Sequence, residues 1–445
     1  MSHSSPPPEL QLDAEGQLTI ERGRQADWDA LVDGRSGHTA AVRSLTIKFL
    51  DRLPRDAWPA LPRLTHLTIE ADKRTLAQFP RVLRASALPA LQQLTLRCLY
   101  YCPSAQWACP ALAGRFEQLS HITIDGFTTD DAAIGALLRQ PALVHLDLGH
   151  TKIASDGCTA LAHALQERAC PSLTHLDLRC SKIANQGCAA LAQALQQQHA
   201  CPELARLHLE HNNIDQEGCA ALARALQQHT CLGLTHLHLG FNKIGSAGCA
   251  ALAQALQQPS RPAVARLRLG LRPIIGAQEC AAVPRLLRKG PCIALTHLHL
   301  EDNAIGDEGC ARLAQALQER ACPALSTLDL EGNNIGSAGC AAVARALLKG
   351  CPGLQQLCLP NNRIDAIPHA LGELRALRVL VLAYNPIRRI PAALHRLVLQ
   401  LEVLIVSGDA LEDPPWQVVG QGLEALKAYL RGGRRVATGL RRRRL

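Results

Sequence analysis

Aromatic side chains are scarce, at 3% of the 445 residues. A surface that stacks bases on aromatic platforms is therefore excluded as the main activity. No stretch approaches the ~20 apolar residues that a membrane-crossing helix needs. The opening MSHSSPPPELQL carries no apolar run of the kind that marks a signal peptide, so synthesis in a cytosol is expected. Net charge is low for the size, at +9, and seven positives fall in the last fifteen residues: Arg431, Arg434, Arg435 and Arg441 to Arg444. The remaining body is nearly neutral, which excludes a polyanion-binding domain built on net charge. No CxxC or HExxH spacing suggests a metal site, and no GxxxxGK[ST] suggests nucleotide hydrolysis.

What the chain does have is a phrase that it repeats. THLHLGFNKIGSAGCAALAQALQQ (235–258) recurs with small changes at 174–197, 205–228, 296–319 and 326–349. Leu143, Leu173, Leu204, Leu234, Val264, Leu295, Leu325 and Leu354 open successive copies, at spacings of 29 to 31 residues. A fixed period in this range specifies a solenoid whose units touch mainly their neighbours. In the unit at 234–263, Leu237 and Leu239 alternate as in a strand. Asn242 suits a corner, and Ser246 suits a helix cap. Cys249, Leu252, Ala253 and Leu256 then share one helical face.

Magnitudes explain why such units come in arrays. Seven or eight buried aliphatics supply roughly 10–20 kcal/mol per unit. Ordering thirty backbones costs about 1–2 kcal/mol each. A lone unit loses that comparison, so stacking must add interfaces. Strands stack at about 4.8 Å and helices at about 8–10 Å, which bends the array with its strands inside. The expected fold is an α/β solenoid, a horseshoe with parallel strands on the concave face and helices on the convex face.

Most of the eighteen cysteines follow the repeat and do not form the pattern of a disulfide framework. One series, including Cys158, Cys188, Cys219, Cys249, Cys310 and Cys340, usually follows glycine; another, including Cys170, Cys201, Cys322 and Cys351, precedes the next strand. Their helical separations exceed the ~7 Å Cα limit for a bridge, so buried reduced thiols are expected.

The pattern LxxLxLxxNxIxxxGCxxLAxAL resembles the leucine-rich repeat, and its period with GC and LAxAL resembles the ribonuclease-inhibitor-like subclass found in animal NOD-like receptors. The resemblance implies a protein-binding concave face. After Leu354 the phrases LQQLCLPNNRIDAIPHALGEL (354–374) and LRVLVLAYNPIRRIPAALHRL (377–397) resemble shorter repeats with Ile-Pro in place of the helix. The organisation read from sequence is a leader (1–40), degenerate repeats (41–142), regular repeats (143–353), short repeats (354–408), a cap (409–431) and a basic tail (432–445). VRSLTI (42–47), LTHLTI (64–69), LQQLTL (91–96) and LSHITI (119–124) are the degenerate strands. The N-terminal pattern resembles leucine-rich effectors of plant-associated bacteria, which enter host cells through a type III secretion system.

Residues between the strand leucines point to the concave wall. Candidate partner-binding residues are His145, Asp147, His175, Asp177, Arg179, Arg206, His208, Glu210, His236, His238, Phe241, Arg266, Arg268, Arg272, His297, His299, Glu301, Asp329 and Glu331. The wall is polar, mixed in charge and rich in imidazole, which suits a pH-sensitive protein interface. Metal is not expected, because Arg266 and Arg268 neighbour the histidines. The unit at 264–294 departs most from the pattern, with Pro273, Glu279 and Pro284, and displays Arg266, Arg268 and Arg272. Cys180 and Cys358 fall on or beside the wall as candidate exposed thiols, without an evident base for nucleophilic catalysis.

The sequence thus points to a non-enzymatic, monomeric, cytoplasmic module that binds a protein, without cofactor, metal or membrane span. The alternatives are a recognition accessory of a ubiquitin ligase or other enzyme system, and nucleic-acid or membrane contact through the arginine tail. No non-repeat stretch here has room for a catalytic domain.

Overall fold

The computed structural model describes residues 12–21, 31, 40–48, 61–72, 88–102, 116–127, 134, 138–197, 201–228, 233–256, 264–269, 294–319, 322–407 and 410–431. Two compact units partition the chain, one formed by 1–214 with 224–234 and the other by 215–223 with 235–445.

Among the described residues, the first unit carries eight strands in chain order. They are β1 (Gln17–Ile20), β2 (Ser44–Lys48), β3 (His66–Ala71), β4 (Gln93–Cys102), β5 (His121–Phe127), β6 (His145–Asp147), β7 (His175–Asp177) and β8 (Arg206–His208). Each pairs in parallel with the next. Helices α1 (Ala154–Gln166) and α2 (Ala184–Leu195) follow β6 and β7; α3 (Gln216–Gln227), next in the chain after β8, is divided between the units at residue 223. Strands β2 to β5 fall on the four degenerate phrases. Strand β1 lies ahead of the repeats as the sequence reading bounded them, inside the stretch treated as a leader, with Leu18 and Ile20 buried.

The second unit runs β9 (His236–His238), α4 (Gly245–Leu256), β10 (Arg266–Arg268), β11 (His297–His299), α5 (Gly306–Gln318), β12 (Thr327–Asp329), α6 (Ser337–Gly350) and β13 (Gln356–Cys358). It continues through β14 (Val379–Leu382), α7 (His395–Gln400), β15 (Val403–Val406), α8 (Trp416–Val419) and α9 (Leu423–Arg431). Its strands are again parallel in chain order. After β13 a short 3-10 helix, His369–Glu373, replaces the long helix, following Ile367-Pro368. Proline at the entry supplies a fixed φ but no N–H, so the segment closes in one tight turn. In the closing segment Leu426 is fully buried, whereas Val418, Val419, Leu423 and Leu430 are half-buried.

The core follows the leucine period. In the first unit Leu146, Leu176 and Leu207 are buried in register, and in the second Leu237, Leu267, Leu298, Leu328 and Leu357 are. The GC dyad has a packing cause. A Cβ added at Gly187 would lie 2.9 Å from Cys158 Cβ and 2.7 Å from Ile183 Cγ2. Only glycine lets that helix approach its predecessor. The Cys158 thiol in turn donates to Gly187 O at 3.3 Å. The described cysteines are thiols and not disulfides, and burial pushes the Cys188, Cys249 and Cys340 thiols up to about 12.

Corner asparagines join one unit to the next. Asn333 Oδ1 accepts from the N–H of Asn303 at 2.9 Å and Ile305 at 3.3 Å, and its Nδ2 donates to Leu300 O at 2.7 Å and Glu331 O at 2.9 Å. Asn362 repeats the pattern, accepting from Asn333 N and Ile335 N and donating to Leu330 O. Helix capping is likewise borrowed across repeats. Asp307 Oδ1 accepts from Gly336 N at 2.8 Å and Gly339 N at 2.9 Å at the start of α6. The side chain of Ser246, expected as a cap, lies outside the described residues.

Candidate functional site

Between the buried leucines, the alternate strand positions form two columns on the face away from the helices. In the second unit, one column runs His236, Arg266, His297, Thr327, Gln356, Val379 and Val403 in direct register. The other runs His238, Arg268, His299, Asp329, Cys358, Val381 and Ile405. In the first unit the equivalent rows are His121, His145, His175 and Arg206, and Thr123, Asp147, Asp177 and His208. The wall therefore grades from cationic through acidic to apolar along the second unit, a change the sequence reading did not draw.

Arg179, Arg206 and Arg266 are exposed, while His145, Asp147, His175, His208, His236, His238, Phe241, Arg268, His297, His299, Asp329 and Glu331 are half-buried. Three candidates differ from the expected open placement: Asp177, Glu210 and Glu301 keep only 7%, 7% and 6% exposure. Arginine side chains lie against two of them, Asp177 and Glu301. Arg179 Nη2 lies 2.8 Å from Asp177 Oδ2, and Arg268 Nη2 lies 3.2 Å from Glu301 Oε1. Arg272, with Pro273, Glu279 and Pro284, lies outside the described residues, as does the tail 432–445. Cys180 is half-buried, but Cys358, expected as an exposed thiol, is only 8% exposed and burial raises it to about 11. Its neighbours Val381 in β14 and Asp329 in β12 flank it in the ladder.

The recurrent Thr-His pair has a local mechanism. Thr174 Oγ1 donates to Val144 O at 3.1 Å and lies 2.6 Å from His175 Nδ1. Thr296 repeats this with Ala265 O at 3.0 Å and His297 Nδ1 at 2.8 Å, and Ser120 does so with Gln92 O and His121. A hydroxyl has one hydrogen. With that hydrogen on the carbonyl, Nδ1 is the donor to Oγ, and the Nε2 lone pair is left for the open face. The aspartates also serve the backbone. Asp147, Asp177 and Asp329 accept through Oδ1 from the N–H two residues on, at 2.8, 3.0 and 3.0 Å.

Electrostatics divide the imidazoles. The rings of His121 and His145 stack at 5.6 Å, and those of His145 and His175 tilt together at 5.4 Å. Burial, the larger cause, and neighbouring cations hold His175 and His297 below the usual imidazole value. Burial also lowers His145, against the opposing pull of Asp147. His299 goes the other way. Its Nδ1 lies 3.8 Å from Asp329 Oδ2 and 3.4 Å from Glu301 Oε1, and those carboxylates push it up to about 9. Glu301 is lowered, because His299 and Arg268 outweigh the opposing effect of its burial. Burial raises Asp177 to about 6 despite its contacts with Arg179.

Parallel strands in chain order, helices packed behind them and buried leucines in register define an α/β leucine-rich repeat solenoid. The leucine-rich repeat family matches residues 141–162, 169–192, 200–223, 231–253 and 292–314, and a second leucine-rich repeat family matches 323–387. Such repeats commonly mediate protein–protein interaction. A search of curated proteins finds no match to this chain. Among the described residues no helix is long and apolar enough to cross a membrane.

Proposed function

We propose that this protein is a non-enzymatic interaction module that binds a partner protein on the open face of its strands. One observation carries the reading. Leucine rungs are consumed by the core, while the residues between them, including Arg206, Arg266, His297 and Asp329, lie in ladders that retain exposure. Ladder neighbours stand close enough to act on one partner together. Side chains held by backbone hydrogen bonds, as in the Thr-His pairs, lose less freedom on binding, which favours affinity.

The test is affinity capture from cell lysate with three baits: the native chain, the strand-face variant Arg206→Glu with Arg266→Glu, and the helix-side control Arg312→Glu. Arg312 pairs with Glu308 one turn away on α5, so its reversal spares the strand wall. The reading expects at least one protein held by the native chain and the control but lost by the strand-face variant. Equal capture by all three baits contradicts it.

A further inference from the structure

We propose that His299, Glu301 and Asp329 form a binding site for a divalent transition-metal ion of the zinc class on the strand face of the second unit. The three residues offer one imidazole nitrogen and two carboxylate oxygens, all within 4.8 Å of one another. Zinc bonds of about 2.0–2.1 Å in a tetrahedron place neighbouring ligand atoms about 3.3–3.4 Å apart. His299 Nδ1 stands 3.4 Å from Glu301 Oε1 and 3.8 Å from Asp329 Oδ2, so these two edges of the site lie within about half an ångström of that spacing.

A second observation points to a ligand. Glu301 is 6% exposed, yet its Oε2 atom is buried without a hydrogen-bond partner. A carboxylate oxygen in that state gains from a cation. Asp329 is already oriented, since its Oδ1 accepts from Glu331 N at 3.0 Å and its Oδ2 faces His299. Such outer contacts fix a ligand before the ion arrives.

Arg266 and Arg268 were the ground for expecting no metal here. Arg268 Nη2 lies 3.2 Å from Glu301 Oε1, the oxygen that also faces His299 Nδ1, so an ion held there shares that oxygen with the guanidinium, while Oε2 is the oxygen without a partner. Asp302 adds a third interacting carboxylate beside Glu301 and Asp329. The local balance is therefore negative before His299 is protonated. Proton and metal compete for the same Nδ1 atom, which faces both carboxylates, so binding tightens as the pH rises. The three protein ligands leave a fourth tetrahedral position, which exchangeable water would fill.

The test titrates Zn2+ alone into the chelator-treated, reduced full chain at pH 7.0 and 8.0, with competition against a chromogenic chelator. It is repeated for His299→Gln and Asp329→Asn, with circular dichroism confirming their fold. Co2+ substitution reports the ligand type, because cysteine ligation adds near-ultraviolet charge-transfer bands that imidazole and carboxylate do not. The proposal expects about one Zn2+ equivalent to be lost in His299→Gln and affinity to fall at least about tenfold in Asp329→Asn. It also expects the bound Co2+ lost with them to show no thiolate bands. Unchanged stoichiometry and affinity in both variants, or thiolate ligation of that equivalent, overturns it. If one variant fails to fold, the other decides. Failure here leaves the partner-binding reading intact, since that reading rests on exposed Arg206 and Arg266.

Discussion

Replacing Asn333 with alanine should destabilise the second unit far more than its size suggests. The side chain is fully buried and makes four hydrogen bonds, two accepted and two donated. Three of its partners, Asn303 N, Ile305 N and Leu300 O, belong to the preceding repeat. Truncation leaves those three buried groups unpaired, and each costs about 1–3 kcal/mol. Glu331 O is partly open to water and adds less. A loss of roughly 4 kcal/mol follows. A chain of two compact units need not unfold in one step, so a single melting midpoint is a poor measure. Native-state hydrogen exchange at amides that Asn333 does not touch, those of Leu298, Leu328 and Asp329, is the better assay. Their opening free energy should fall by that amount. A fall below about 1 kcal/mol would refute the idea that asparagine bonds, beside leucine burial, hold successive repeats in register.

Stability should also depend on pH through His299. Its folded value of about 9 stands above the unfolded 6.5, so its contribution is fully present below pH 6.5 and is lost as pH rises through 9. The gap corresponds to roughly 3 kcal/mol at most, and a His299→Gln chain should lose the alkaline slope. Equal slopes in both chains would rule out the carboxylate pairing. Ala154 holds a left-handed φ of 56° where Gly245 and Gly306 stand in later repeats at 61° and 59°. Ala154→Gly should therefore stabilise the first unit by about 1 kcal/mol in denaturant titration, and a destabilisation would contradict the strain argument. Arg266→Ala should leave thermal stability nearly unchanged. Arg268→Ala should lower it, because it strips the buried Glu301 carboxylate of a cation, at a cost of about 1–3 kcal/mol. Identical melting curves for the two variants would show that the pair does not matter.

The fold was legible because it rests on spacing. Leu237 and Leu298 had to be buried at period two, and the strand–corner–helix order followed from that rule. Strand β1 was missed because its QLTI phrase stands apart from the strong repeats, beside a Ser/Pro-rich opening. The open face was legible in composition and less so in environment. Alternation places Glu301 on the outward side, but its burial depends on Arg268 lying over it from the neighbouring strand. Asp177 is paired in its turn with Arg179, two residues further along its own segment. Cys358 reads as exposed by position, yet its ladder neighbours close over it. THL recurs with the repeat, and its hydroxyl bridging backbone and imidazole appears only when adjacent strands are placed side by side.

Position-specific photo-crosslinking tests the central claim most directly. A benzoylphenylalanine at position 266, on the strand face, is compared with one at 312, on a helix, each irradiated in lysate and read by mass spectrometry. The account predicts a discrete crosslinked partner from 266 and none in common from 312. The same partner crosslinked from 312 with none from 266 would contradict it.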